Sequence, residues 1–434
     1  MYKYLNPILL YKNLFLPVVL IILLGIFTNF VVAGGALLIY LFSSRSDDIP
    51  QFLLLLLLAT FILASNLSPS LSFAQNFRFL ALGGALLYLF YNKGIPKNPG
   101  NYILPFAIYA TFISLIFSPL GFDAVLRGLA YWLIAIVIFT LYEKSYFNFP
   151  ASTSQIILGF LILVFGLNSL LIFGGPEMYL VGRFRGVMGN PNELGLIAAF
   201  SYGIIDLLKS RNETDFSRRG FLLLKIILVA IIIFTGSRTA LFGLILYEIT
   251  FRLFQNKLLL AVSLLTLGTL YYISLSIDPV AIIQSLGLSQ ELRVESLITG
   301  SGRTEVWKIA WEEIKLNPWF GQGMLYDQYF IEEYVDQNLS GVVARHWAGI
   351  WNSYLSLLMD VGIIGLVAFF FFIYKVFNLS NQRNLAAAFL VLTLFAGITE
   401  SWMAASMNAF TPMFMLYWAI QSHPVNDPEE VIEE

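Results

Sequence analysis

Cysteine is absent from the 434 residues, and histidine occurs twice, at His346 and His423. The first absence excludes disulfides, thiolate nucleophiles and cysteine metal sites. The second leaves too few imidazoles for a polyhistidine metal centre. Charge is scarce as well: Asp, Glu, Lys and Arg make up 12% of the chain, against about 25% in an ordinary soluble domain. The net charge of −2 carries no electrostatic footprint for nucleic acid.

What fills the chain instead is apolar: 58% of the residues are hydrophobic, and they arrive in runs near the roughly 20 residues that cross a bilayer core. Such a chain needs lipid as its solvent. The expected fold is all-α, a polytopic transmembrane helix bundle forming one integral membrane domain over 1–434, with no separate soluble domain. Candidate spans fall at 8–28, 30–43, 52–66, 76–91, 102–117, 124–142, 154–173, 190–208, 220–236, 238–254, 258–277, 352–377, 384–400 and 406–421. That makes fourteen, or twelve to thirteen if the short first pair or the tight turn at 236–238 does not hold two crossings. Lys3 and Lys12 precede the first apolar stretch and no small-residue cleavage site follows, so a retained first span is expected.

The Lys and Arg of the short loops set the orientation. With a cytoplasmic N-terminus, the loops holding Arg45, Lys93 and Lys97, Lys144, Lys209 to Arg219, Arg252 to Lys257, and Lys375 to Arg383 all fall inside. The C-terminus, with an acidic tail over 422–434, falls inside too. The basic residues left outside are Arg78, Arg127, Arg183, Arg185, Arg238, Arg293, Arg303, Lys308, Lys315 and Arg345, mostly arginine where the inner loops are rich in lysine. Arginine offers a planar fork for bidentate binding of phosphate or carboxylate, whereas lysine is a flexible point charge. The outer arginines therefore point to an anion site on that face.

One long hydrophilic segment, 278–350, is expected outside, between two late spans. Within it Trp307, Ala310, Trp311 and Ile314 recur at helical spacing while Glu305, Lys308, Glu312 and Lys315 take the other face. Asn317-Pro318 stops that helix. An amphipathic helix of this kind is expected to lie along the membrane surface or over a cavity, its tryptophans toward lipid or the bundle.

Four external segments carry candidate chemistry. In Arg183-Phe-Arg-Gly-Val-Met-Gly-Asn-Pro-Asn-Glu-Leu-Gly195, Pro191 suits a first helical turn and Asn190 its cap, which makes a helix N-terminus beside Arg183 and Arg185 a candidate anion site. In Thr235-Gly-Ser-Arg-Thr239, an arginine at the membrane boundary must snorkel, pair or face a cavity. In Ser301-Gly-Arg-Thr-Glu-Val-Trp307, followed by Asn317-Pro-Trp-Phe-Gly-Gln-Gly323, Arg303 falls in a first helical turn, where the dipole disfavours a cation without a nearby anion. The fourth runs from Arg345-His-Trp through Trp351-Asn-Ser-Tyr-Leu to Gly365. There His346 has the pKa range of a general base, with Glu400, at the outer end of a later span, as the other candidate.

In this order, the four segments resemble the O-antigen polymerase and O-antigen ligase family of bacterial membrane glycosyltransferases. The resemblance is strongest over 183–365, with an echo at Thr399-Glu-Ser401. It implies an enzyme of the bacterial inner membrane that takes a glycan from undecaprenyl pyrophosphate at the periplasmic face and passes it to an acceptor hydroxyl. The implied partners are the lipid-linked donor and acceptor, membrane lipids and a chain-length regulator. No cofactor or metal is implied, since arginines do the electrostatic work. Carried over residue by residue, Arg185, Arg238 and Arg303, with Arg183 beside them, hold the pyrophosphate. Asn190, Asn192, Asn352 and Arg345 support them, and His346 or Glu400 is the base. The family often has His-Asn ahead of Ser-Tyr-Leu where this chain has Trp351-Asn352, a departure that favours a polymerase over a ligase. A lipid-linked oligosaccharide transporter is the reading from another class, although ionisable residues near the midplane and two related halves are not evident.

Overall fold

The computed structural model describes residues 7–44, 47–65, 71–91, 98–255, 303–338 and 349–424. Its helices, in chain order, are α1 (Lys12–Phe27), α2 (Phe30–Ser43), α3 (Ile49–Ala64), α4 (Phe73–Tyr91), α5 (Leu104–Phe117), α6 (Phe122–Asn148), α7 (Pro150–Leu171), α8 (Pro191–Arg211), α9 (Arg218–Thr235), α10 (Arg238–Gln255), α11 (Arg303–Ile314), α12 (Tyr326–Asn338), α13 (Ser353–Asn378), α14 (Arg383–Thr399) and α15 (Phe410–Ser422). A two-residue hairpin, β1 (Tyr179–Leu180) and β2 (Arg183–Phe184), precedes α8. Every expected span is matched by a helix except 258–277, which lies outside the described residues, as do 278–302, 339–348 and the tail from 425 onward. The protein is a multi-pass membrane helix bundle. Among the described residues, the helical runs Phe73–Tyr91, Pro99–Phe117, Phe122–Asn148, Pro150–Leu171 and Ser353–Asn378 are each long and apolar enough to cross a bilayer.

The helices α8, α9 and α10 carry charge inside their apolar runs, and the structure shows how it is tolerated. Lys225 of α9 binds Asp206 of α8 at 2.8 Å and Glu248 of α10 at 3.6 Å, and Tyr247 donates to Asp206 at 3.2 Å. A charge in a span is costly unless it is paired toward the bundle interior, and here the pairing binds three neighbouring helices.

Two helices form the centre. In α3, the run Ile49–Leu58 is buried throughout. In α15, every residue from Phe410 to Gln421 is buried, with Tyr417 stacked on Phe389 of α14 at 3.6 Å. A helix apolar on all sides belongs in the middle of a bundle. By contrast, α1, α2 and α4 leave large apolar side chains such as Leu16, Phe42 and Phe90 exposed, as a lipid-facing surface requires.

The segment between α11 and α12 is tied into a break in α13. Gly362 has φ 62°, outside helical geometry, and the freed backbone groups are taken up by the chain of Asn317–Gly323. Gln322 N–H donates to Met359 O (2.8 Å), Gly323 N–H to Asp360 O (2.7 Å), and Ile363 N–H to Pro318 O (2.9 Å). The Asp360 carboxylate accepts from Leu325 N–H at 3.1 Å and Asp327 N–H at 2.9 Å. A Cβ on Gly362 would come within 2.4 Å of Trp319 O, and one on Gly321 (φ 73°) within 2.6 Å of Asp360 O, so both positions need glycine.

This clamp fixes α11 against α13. Its buried face is Val306, Ala310 and Ile314, not the expected stripe with both tryptophans. Trp307 is half-buried and donates to Ile350 O at 2.8 Å, while Trp311 is exposed. The amphipathic pattern marked the helix, but its turn against α13 depends on a break that lies fifty residues downstream.

Candidate active site

Call the end of the bundle that carries Arg303 the upper end. Four of the helices that begin there, α8, α10, α11 and α13, each bond the short stretch Thr399–Glu400 at the end of α14. Asn190 caps α8 by accepting from Asn192 N–H at 2.9 Å. Asn352 caps α13 by accepting from Tyr354 N–H (2.9 Å) and Leu355 N–H (3.1 Å). Ser237 precedes α10 and accepts from Ala240 N–H at 3.4 Å. Each helix start directs the positive end of its dipole toward this stretch, a setting suited to an anion.

Glu400 is the hub. Its Oε1 accepts from Asn192 Nδ2 at 3.0 Å and faces Arg303 Nη2 at 3.5 Å. Its backbone oxygen accepts from Ser353 Oγ at 2.6 Å. Arg303 Nη1 donates to Thr399 O at 2.8 Å, and Thr239 and Thr399 share a hydroxyl hydrogen bond of 2.6 Å. Asn352 N–H donates to Ser401 Oγ at 3.0 Å. Burial raises the Glu400 carboxyl pKa, opposed in part by Arg303, Asn192 and Arg183. A carboxylate moved up in this way is a stronger base.

The two arginines of the first segment part company. Val181 (φ 49°) and Gly182 (φ 72°) turn the hairpin, and Phe184 is fully buried. Arg183 then reaches inward, donating from Nε to Thr235 O at 2.8 Å and from Nη2 to Asn192 Oδ1. Arg185 lies past the end of β2 and donates instead from Nε and Nη2 to Glu177 O, at 3.1 and 3.0 Å. The structure thus brings together Arg183, Asn192, Arg303 and Glu400, with Asn190 and Asn352 as caps and Arg238 as the first residue of α10; it does not bring in Arg185. Arg345 and His346 lie outside the described residues.

The sequence motifs contain Thr239, Ser353, Thr399 and Ser401, but sequence reasoning gave them no role. Small hydroxyl residues at helix ends are too common to single out, and their meaning comes from meeting across four helices. Trp351 has φ 54°, a left-handed conformation that costs a non-glycine residue about 1–3 kcal/mol. Among the described residues, no three acidic or histidine side chains gather into a metal-ligand set.

No curated protein matches the chain. Residues 223–370 match a family model described as O-antigen ligase. That segment runs from α9 into α13 and includes Arg238, Arg303 and Asn352, while Arg183, Asn192 and Glu400 come from either side of it. The likeness to the O-antigen ligase family is thus carried by about a third of the chain, residues 223–370.

Proposed function

We propose that the protein is a surface-polysaccharide or O-antigen polymerase, joining undecaprenyl-pyrophosphate-linked oligosaccharides at the periplasmic side of the bacterial inner membrane. In this reading the upper end is periplasmic and both termini are cytoplasmic. The observation that carries it is the meeting of Arg183, Arg303 and four helix N-termini around a buried carboxylate. A diphosphate leaving group needs charge-assisted donors fixed where negative charge develops, and an acceptor hydroxyl needs a nearby base.

In the proposed reaction, Arg183, Arg238 and Arg303 hold the donor diphosphate. Glu400 takes the proton of the acceptor hydroxyl as its oxygen attacks the anomeric carbon. The bond from that carbon to the diphosphate oxygen breaks, its electron pair leaves on undecaprenyl pyrophosphate, and the glycan now extends the acceptor. The Glu400 carboxylate regains its charge by releasing the proton to water. Arg303 uses one N–H toward Thr399 and one toward Glu400, which leaves the rest of its five donors for phosphate oxygens. His346 is the alternative base, and a chain-length regulator is a proposed partner.

The test is incubation of purified protein with one defined undecaprenyl-pyrophosphate oligosaccharide. A ladder of longer lipid-linked glycans supports polymerisation. Transfer only to lipid A core or protein identifies a ligase, the second reading that the family description favours. Movement of the glycan across vesicles with no new bond would defeat the enzyme assignment.

A further inference from the structure

Besides Arg185, two more arginines of the upper end take no part in the site above. Arg78 sits on α4 and Arg127 on α6, and both are tied to one strap, Ser401–Asn408, which leads from Glu400 into α15. Arg78 Nη1 donates to Met407 O, and Ser406 Oγ donates to Arg127 O at 2.9 Å. Tyr131 anchors the strap's middle by donating to Met403 O at 2.6 Å, and Asn408 closes it by capping α15.

These guanidiniums are poorly satisfied. Arg78 Nε is buried without a hydrogen-bond partner, and among the described residues its other contact is an aromatic face, Phe79 at 5.3 Å. Arg127 has no side-chain hydrogen bond or ion pair among the described residues; Asp123 and Asp327 act on it only through the field, and Arg78 feels its repulsion. Two like charges on helices tied to adjacent residues of one strap, Ser406 and Met407, partly buried and short of acceptors, are costly unless an anion joins them.

We propose that Arg78 and Arg127 form a second lipid-diphosphate site, which holds the acceptor while the Arg303 site holds the donor. This rests on the polymerase reading. A polymerase alone must seat two lipid diphosphates at once, because its acceptor is itself lipid-linked. The acceptor hydroxyl is at the far end of an oligosaccharide from its own diphosphate, so the two anions must be held apart. The strap supplies that separation: Glu400 and Met407 mark its two ends, seven residues apart and thus no more than about 25 Å. Both sites lie at the same end of the bundle, so two polyprenyl tails can stay in one leaflet while the glycans meet over the strap.

A phospholipid headgroup offers the same phosphate chemistry, and the experiment separates the two sources. Full-length protein is placed in phosphatidylcholine nanodiscs, and the number of undecaprenyl pyrophosphate molecules bound is read by native mass spectrometry. Wild type is expected to hold two, the R78Q/R127Q protein one, and the R183Q/R303Q protein one. A wild type that holds one, unchanged by R78Q/R127Q, overturns the second site and leaves the polymerase reading standing. A wild type that holds none overturns both. In discs containing phosphatidylglycerol the second equivalent should persist; its replacement there by phosphatidylglycerol makes the site a phospholipid site and overturns the proposal. If R78Q/R127Q is not monodisperse, R78K/R127K serves in its place. It keeps the charge but loses the fork, and should bind the second equivalent about tenfold more weakly, whereas unchanged binding would overturn the assignment.

Discussion

Arg211 and Arg303 stand at opposite ends of the bundle, and the difference between them separates an arginine that holds a fold together from one that is kept for a ligand. Arg211, at the end of α8, is 4% exposed, and all of its N–H groups have acceptors. Nε donates to Glu213, Nη1 to Ile420 O and His423 O, and Nη2 to Tyr146 Oη and Pro424 O. Glu213 is itself held by Tyr146 and Ser154, each at 2.6 Å. Nothing is left to bind with. Arg303, with 22% of its side chain exposed, meets one carbonyl and one carboxylate where four helix N-termini meet. The residue type is the same; what differs is whether its coordination is closed.

If the contrast is right, the largest effect on chemistry comes from Arg303→Ala. Polymer formation should fall by about 10²–10³-fold, the range for losing a fixed donor to developing negative charge, with little change in thermal stability. The ladder assay and a melting curve on the same preparation check both halves. Arg211→Ala should do the reverse. Opening that buried network should cost roughly 3–5 kcal/mol, seen as a lower melting temperature, while the surviving folded protein keeps its turnover. Rates that collapse without any loss of stability would erase the distinction between the two ends.

Glu400→Gln should slow transfer by about 10²-fold, within the usual range for a general base. It should also remove the acid limb of the pH–rate profile. Because burial raises the Glu400 pKa, the carboxylate form is lost at a higher pH than for an exposed glutamate, and wild-type activity should rise through that displaced pKa. The linked stability has the opposite sense. A raised carboxyl pKa means that the native state holds the proton more tightly than the unfolded chain, so stability from this group declines as pH rises from the unfolded pKa to the folded one. An acid limb that survives in Glu400→Gln would transfer the role to another group, His346 first.

Smallest of all should be Arg185→Gln. Its guanidinium bonds the Glu177 carbonyl rather than Glu400, and substitutions of this kind usually stay within about 0.5 kcal/mol, or roughly twofold in rate. A loss comparable with that of Arg303→Ala would put Arg185 back among the diphosphate ligands.

The apolar runs made most of the bundle legible, because a span announces itself by length and composition. Three features were not legible, for physical reasons. Inward or outward orientation of Arg183 and Arg185 depends on a hairpin two residues long, below any periodicity. The clamp of Asn317–Gly323 on Gly362 joins two stretches that each looked like an ordinary loop or span, and only their backbone groups explain one another. Arg78 and Arg127 were visible as outer arginines, yet their shared strap comes from the far end of the chain. Glu400 could be named from its place at a span end, but nothing local marked it as the meeting point of four helices.

The most direct measurement is the change in melting temperature on adding undecaprenyl pyrophosphate to wild type, Arg211→Ala and Arg303→Ala. At a hundredfold excess over Kd a ligand adds about 2.7 kcal/mol to the native state. Wild type and Arg211→Ala should both rise, the latter from a lower starting point, and Arg303→Ala should rise distinctly less. An undiminished rise in Arg303→Ala, or its loss in Arg211→Ala, would contradict the assignment of the open arginine to substrate and the closed one to the fold.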